Sequence, residues 1–260
     1  MLNCLPNFPE IKYHKQVDIG GKNMIQAVFF DLDGTLLPMD EKYFTKIYME
    51  KIAEKLMPFG YEPKKLVDAI MKGLYKMVGN TSDKTNEEVF WDSFSLSFPD
   101  KNLKKDMDIF TSFYLNEFKE TKKVCRENPL AKEIITYCQK KIKYTVLSTN
   151  PIFPREAQQT RLSFIGLQDT DFSYVTDYSN SCSCKPNPEY FQSLLKKFSL
   201  RPEEVLLFGN DVVEDLECAS KVGIKGYLID GCILTHGKEV NPDSAISMDE
   251  VIPTIASYLD

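Results

Sequence analysis

Histidine is scarce in this sequence: only His14 and His236 occur among 260 residues. Imidazole-based metal binding and a Ser-His-Asp arrangement are therefore poorly supported. No apolar run reaches the roughly 20 residues that a membrane-crossing helix needs. Positive charge is not in surplus either. The net charge of −6 and pI near 5.2 give no electrostatic reason to expect a nucleic-acid partner. The lysines are spread along amphipathic stretches and read as solvated helix faces. Internal repeats and low-complexity tracts are missing. The seven cysteines, Cys4, Cys125, Cys138, Cys182, Cys184, Cys218 and Cys232, form no C-x-x-C pair. With no long apolar core of a secretory signal near the start, they read as reduced thiols of a cytoplasmic protein. Cys182 and Cys184 alone amount to half a zinc site.

What is present is ordinary for a soluble globular chain: 43% hydrophobic and 27% charged residues. The length suits one large domain or two smaller ones. Residues 1–24 show no periodicity and are read as an N-terminal extension. Residues 25–31 combine an apolar run with aromatic and β-branched content, as a buried strand does. From about 40 to 122 the period changes. EKYFTKIYMEKIAEKLM, KKLVDAIMKGLYKMV, NEEVFWDSFSLSF and LKKDMDIFTSFYLNEF each space apolar residues three and four apart, as helices do. Phe90, Trp91, Phe94 and Phe98 recur at that spacing and read as packing within the helical block rather than as a substrate-reading surface. After Asn128-Pro129, helical and strand patterns alternate, with strands at KYTVLSTN, FSYVT, EVLLFGND and KGYLID. Such alternation implies βαβ units and a parallel sheet. The expected fold is α/β, a doubly wound parallel sheet with an all-helical domain inserted after the first strand. The expected division is 25–38 and 124–260 for the α/β core, with 39–123 for the helical insertion.

Three of the predicted strands end in groups useful to chemistry: Asp31 and Asp33, then Ser148-Thr149-Asn150, then Asn210-Asp211 with Asp215. An open parallel sheet binds ligands outside the carboxyl ends of its strands, so these distant segments can share a cleft. Crowded carboxylates oppose one another's ionisation. A hard divalent cation removes that cost, and Mg²⁺ takes oxygen ligands, waters and a substrate phosphate without histidine or thiol.

These residues together resemble the haloacid dehalogenase-like superfamily. DLDGT at 31–35, Ser148-Thr149-Asn150, Lys185 before Pro186, and GNDVVED at 209–215 are similar to its four signatures, in order. STNPIFP at 148–154 resembles its phosphatase-like members. The resemblance covers residue 25 to about 250 and makes 39–123 a helical cap. It implies a Mg²⁺-dependent phosphatase acting on a small phosphomonoester through an aspartyl-phosphate. Asp31 would be the nucleophile and Asp33 the general acid and base. Thr149, Asn150 and Lys185 would bind phosphate, with either Ser148 or Thr149 as the hydroxyl and Thr149 favoured by the Asn that follows it. Asp31, Asp33 and Asp211 would hold Mg²⁺, with Asp215 and Asn210 supporting or replacing a ligand. The chain departs from the pattern where Asn210 stands between glycine and acid in the fourth signature. The family's dehalogenases lack the second acid, so Asp33 argues against that reaction. A phosphomutase and a non-catalytic binding module remain the alternatives. The implied partner is a small phosphorylated metabolite, neither nucleic acid nor membrane.

Overall fold

The structure is a computed structural model that describes residues 25–259. The expected N-terminal extension, with His14 and Cys4, lies outside the described residues. The elements run in chain order as β1 (Ala27–Phe30), α1 (Glu41–Leu56), α2 (Pro63–Val78), α3 (Asn86–Ser95), α4 (Leu103–Leu115), α5 (Pro129–Lys141), β2 (Tyr144–Leu147), α6 (Arg155–Ser163), β3 (Tyr174–Val175), α7 (Glu189–Phe198), β4 (Val205–Gly209), α8 (Cys218–Ser220), β5 (Lys225–Ile229), β6 (Ala245–Ile246) and α9 (Val251–Ser257). The alternation from residue 129 onward builds the expected parallel sheet, in the order β3-β2-β1-β4-β5-β6.

All four residues of β1 are buried, which explains why the strand reads as an unbroken apolar run. Val28 and Phe30 join the core that also packs the four helices α1 to α4. Ala27 and Phe29 face the opposite way, into the core built with α7, as the two-residue period of a strand requires. Phe30 stands opposite both Leu147 of β2 and Phe208 of β4. The residues that follow each of these positions therefore emerge along one edge of the sheet. The chain runs outward from β1 through β2 to β3, then returns to place β4 on the other side of β1. That reversal makes the crevice between β1 and β4 the switch point of the sheet.

The helices between β1 and β2 follow their sequence pattern, with local signals setting the ends. Thr85 and Glu88 form a reciprocal cap at the start of α3, and Asp40 accepts from the Tyr43 N–H at the start of α1. Two expected helices stop early. The chain turns out of α3 after Ser95, and α4 gives way after Leu115 to a 3₁₀ stretch, Glu117–Val124. Phe118 in that stretch is fully buried and holds the stop in place. Its ring meets Phe44, Tyr48, Phe113 and Phe153 at centroid distances of 5.7, 5.6, 6.0 and 5.9 Å, mostly edge-to-face. Strand β6, two residues long, carries no apolar run and has no counterpart among the predicted strands.

Replacing Phe118 by Ala should cost about 3–5 kcal/mol of unfolding free energy, because the cavity would open where the helices meet Phe153. Urea unfolding measures this, and a loss below about 1 kcal/mol would show that the ring cluster does not hold the helices to the sheet.

Candidate active site

The loop that leaves β1 carries Asp31 and Asp33. The Leu37 N–H donates back to the Leu32 carbonyl at 2.8 Å and the Gly34 N–H to the Leu37 carbonyl at 2.9 Å, which folds the segment into a tight turn. Gly34 sits at φ +80°, and a Cβ there would lie 2.2 Å from the Asn210 amide. Only glycine satisfies both the backbone and the space.

Lys185 is the electrostatic centre of the site. Its ammonium, 1% exposed, donates to Asp31 Oδ1 at 2.7 Å and to Asp215 Oδ1 at 2.6 Å. Burial opposes its charge, but the Asp215 and Asp31 carboxylates overcome that and hold its pKa well above the ordinary value. Burial likewise drives Asp31 well above the usual carboxylate range, against the pull of Lys185 and with a further push from Asp215. The second oxygen of Asp215 accepts from the Asn210 and Asp211 N–H groups at 3.0 and 3.1 Å. Asp215 thus ties the lysine to the end of β4. A Cβ on Gly209 would meet Asp215 Oδ2 at 2.3 Å, so that strand must end in glycine for the carboxylate to fit.

The hydroxyls after β2 divide by role. Ser148 is fully buried, and its Oγ donates to the Phe30 carbonyl at 3.2 Å, a bond that joins β2 to β1. The Thr149 carbonyl accepts from Thr176 at 2.6 Å and Tyr190 at 3.0 Å, while its hydroxyl has no partner among the described residues. Asn150 donates to the Lys185 carbonyl at 3.2 Å and to Glu214 at 2.8 Å, and its amide oxygen is buried and unpartnered.

The fourth signature places its two polar residues differently. Asn210 Oδ1 accepts from Thr35 Oγ1 at 3.3 Å, and the same hydroxyl lies 3.5 Å from Asp31 Oδ2. Asp211 is committed elsewhere. Its Oδ1 accepts from the Val213 and Glu214 N–H groups at 2.7 and 2.8 Å, and its Oδ2 lies 2.6 Å from His236 Nε2. That hydrogen bond raises the His236 pKa. The helix expected at 212–222 begins as a π-turn, Val212–Glu217, before α8; such turns are frequent at functional sites.

Three contributors escape sequence reasoning. Arg161 of α6 is wholly buried, pairs with Asp33 Oδ2 and Gln158, and packs 4.5 Å over the Phe153 ring. It lies one turn after Ala157 and shares that inward face, so a charged residue on an apolar stripe was the available signal. Thr35 links the Asp31 and Asn210 side chains. Glu41, the first residue of α1, is pushed up to about 7 by burial and by Asp33, with Asn210 opposing.

Asp31, Asp33, Glu41, Asp211, Glu214 and Asp215 therefore outnumber Lys185, Arg161 and His236. An excess of hard oxygen donors suits an oxygen-preferring cation. Among the described residues no three His, Cys, Asp or Glu side chains are grouped to cage a metal. The thiols supply no soft site. Cys184 is a buried free thiol pushed up to about 12 by burial.

The family model described as haloacid dehalogenase-like hydrolase matches residues 28–229. A Xenopus laevis protein named phospholysine phosphohistidine inorganic pyrophosphate phosphatase is 26% identical over 96 residues, 37% of this chain and 35% of that protein. The match spans about a third of that relative's length. Among solved structures, a 2-haloacid dehalogenase from Pseudomonas syringae has a TM-score of 0.56 at 16% identity, covering 91% of this chain and 100% of that one. A magnesium-bound HAD-hydrolase from Bacillus subtilis has a TM-score of 0.54 at 16% identity, covering 89% and 99%. These likenesses are likenesses of fold.

Arg161→Met should cost about 3 kcal/mol, the lower end for a broken buried pair because Asp33 keeps a quarter of its side chain exposed. Burial already raises the Asp33 pKa while Arg161 lowers it, so the variant's folded-state value moves up further. The deficit should be smallest below the unfolded-state pKa and grow as pH rises through the raised folded value. Urea unfolding across that range tests this; a deficit independent of pH would separate Arg161 from the Asp33 charge.

Proposed function

The chain belongs to the haloacid dehalogenase-like hydrolase family, and from that premise we propose that it is a Mg²⁺-dependent phosphatase that hydrolyses a small phosphomonoester through an aspartyl-phosphate on Asp31. The observation that carries the reading is the Asp31–Lys185–Asp215 bridge at the switch point. Asp31 attacks phosphorus and the P–O bond to the leaving group breaks. Asp33 gives its proton to the departing oxygen, then takes one from the water that cleaves the aspartyl-phosphate. Lys185 offsets charge on Asp31 and on the transferring group, and Thr149 and Asn150 bind its oxygens. Arg161 holds Asp33 in place.

The residues suited to hold the cation are the Asp31 carboxylate, the Asp33 backbone carbonyl and the Asn210 amide oxygen. Asp211 would join them in competition with His236. When bound, Mg²⁺ would neutralise the clustered carboxylates and the phosphate charge. Residues 39–123 serve as a cap that closes over the cleft and excludes water and bulky polymers, which favours a small metabolite. The word phosphatase in the name of the Xenopus laevis relative supports hydrolysis of a phosphoryl group. The five free thiols among the described residues support a cytoplasmic setting. No helix among the described residues is long and apolar enough to cross a membrane.

Purified protein should release phosphate from p-nitrophenyl phosphate with Mg²⁺, lose that activity in EDTA and regain it when Mg²⁺ is restored. Asp31→Asn should abolish turnover, and Asp33→Asn should lower kcat by about 10²–10⁴-fold. Full activity in Asp31→Asn would overturn the aspartyl-phosphate route. Faster transfer to a sugar hydroxyl than to water would make the protein a mutase, and inertness across sugar phosphates, nucleotides and phosphoglycolate would remove the phosphatase reading.

A further inference from the structure

A cavity of ≈ 200 Å³ lies between the helices α1 to α4 and the loops that follow β2 and β3. None of Asp31, Asp33, Lys185 or Asn210 lines it. Its volume exceeds the roughly 150 Å³ cavity known to hold benzene. Its walls are rich in aromatic rings: Phe90 and Trp91 of α3, Phe110 and Tyr114 of α4, and Tyr178. Phe90, Trp91 and Tyr114 pack against the core yet stay only half-buried, as does Tyr178.

The charge in the cavity is one-sided. Arg155 is the single cation of the wall, and its guanidinium is already taken. It contacts Asp169 at 3.0 Å and Asp177 at 3.6 Å, and donates to the Val175 carbonyl at 3.1 Å. Glu87 and Glu156 also line the space, and no cation faces Glu87. Burial raises its carboxyl above the usual range. The Tyr178 hydroxyl opposes that, while Asp177, Glu156 and Glu88 add to it. One donor in the wall is also idle. The indole N–H of Trp91 is buried and lies near the Tyr178 hydroxyl without hydrogen-bond geometry to it or to any other partner.

We propose that this cavity is a binding site for a small organic cation, an alkylammonium that also carries an oxygen acceptor, as an amino alcohol does. Aromatic faces attract an ammonium whose substituents are apolar, by about 0.5–2 kcal/mol for each well-placed ring. Glu87 and Glu156 supply the opposite charge that Arg155 does not cancel. The oxygen of the ligand satisfies the Trp91 N–H. A neutral ligand of the same shape would fill the space and leave the two carboxylates uncompensated, and an anion would be repelled. The site does not depend on the phosphatase reading, because its ligand needs no phosphate.

Trp91 is the only tryptophan in the chain, so its emission reports occupancy directly. Titration of the full chain with choline should give a saturable emission change and a matching calorimetric isotherm. The neutral isostere 3,3-dimethylbutan-1-ol should bind at least about tenfold more weakly. Glu87→Gln with Glu156→Gln should weaken choline binding by about tenfold or more while leaving p-nitrophenyl phosphate turnover unchanged. Should the double variant be unstable, Glu156→Gln alone carries the same expectation with a smaller shift. The proposal is overturned if choline and tetramethylammonium give neither heat nor emission change at tens of millimolar. Equal affinity for the neutral isostere, or undiminished binding by the glutamine variants, overturns it as well.

Discussion

A buried ammonium shared by two buried carboxylates is the constraint on which the candidate site depends. Lys185 touches Asp31 at the end of β1 and Asp215 just beyond β4. Three ionised groups removed from water would each carry a desolvation cost of several kcal/mol, offset only by close pairing and complete hydrogen bonding. Asp215 completes the set by accepting the N–H groups of Asn210 and Asp211. One ion triad therefore fixes three chain segments that are far apart in sequence. It also dictates glycine at 209, where a methyl group would collide with the Asp215 side chain.

The acids of the cleft are sorted by partner rather than pooled. Asp31 is held by Lys185, Asp33 by Arg161, and Asp211 by His236 and the start of the π-turn. Different environments give chemically similar carboxylates different work. The carboxylate at the end of β1 faces a buried lysine at 2.7 Å. The one facing Arg161 of α6 is held at a set position two residues away. The sheet supplies the geometry for both, since β1 is flanked by β2 and β4 and all three end at the same level.

The helices between β1 and β2 contribute more than a cover. Asn86, at the head of α3, donates to the Pro151 carbonyl at 3.1 Å, and Phe118 reaches Phe153. Both anchor the loop after β2, the segment that also carries Thr149 and Asn150. The aromatics expected to pack within the block do so, with Phe90 and Trp91 against the fully buried Phe94 at 5.7 and 5.4 Å, and Phe90 and Trp91 also wall a cavity. Spacing along a helix places four rings on one side but says nothing about what lies opposite them.

Local chemistry made much of this molecule legible in the chain alone. Unbroken apolar runs identified the interior strands, because a strand covered on both faces has no polar position to spare. The three- and four-residue spacing identified the helices, and the acids after β1 and β4, with the isolated Lys185, are residues that meet in the structure. Where the chain leaves a helix was less legible, since α4 yields to a 3₁₀ stretch for the sake of the buried Phe118. Pairing between segments was not legible at all. That Arg161 would meet Asp33, that Asn210 rather than Asp211 would stand beside Thr35 and Asp31, and that His236 would bond to Asp211 were decided by register and burial. Periodicity is a property of neighbours along the chain and can be read from it, whereas the partner of a buried charge is chosen by which distant segment the packed sheet brings within hydrogen-bond reach.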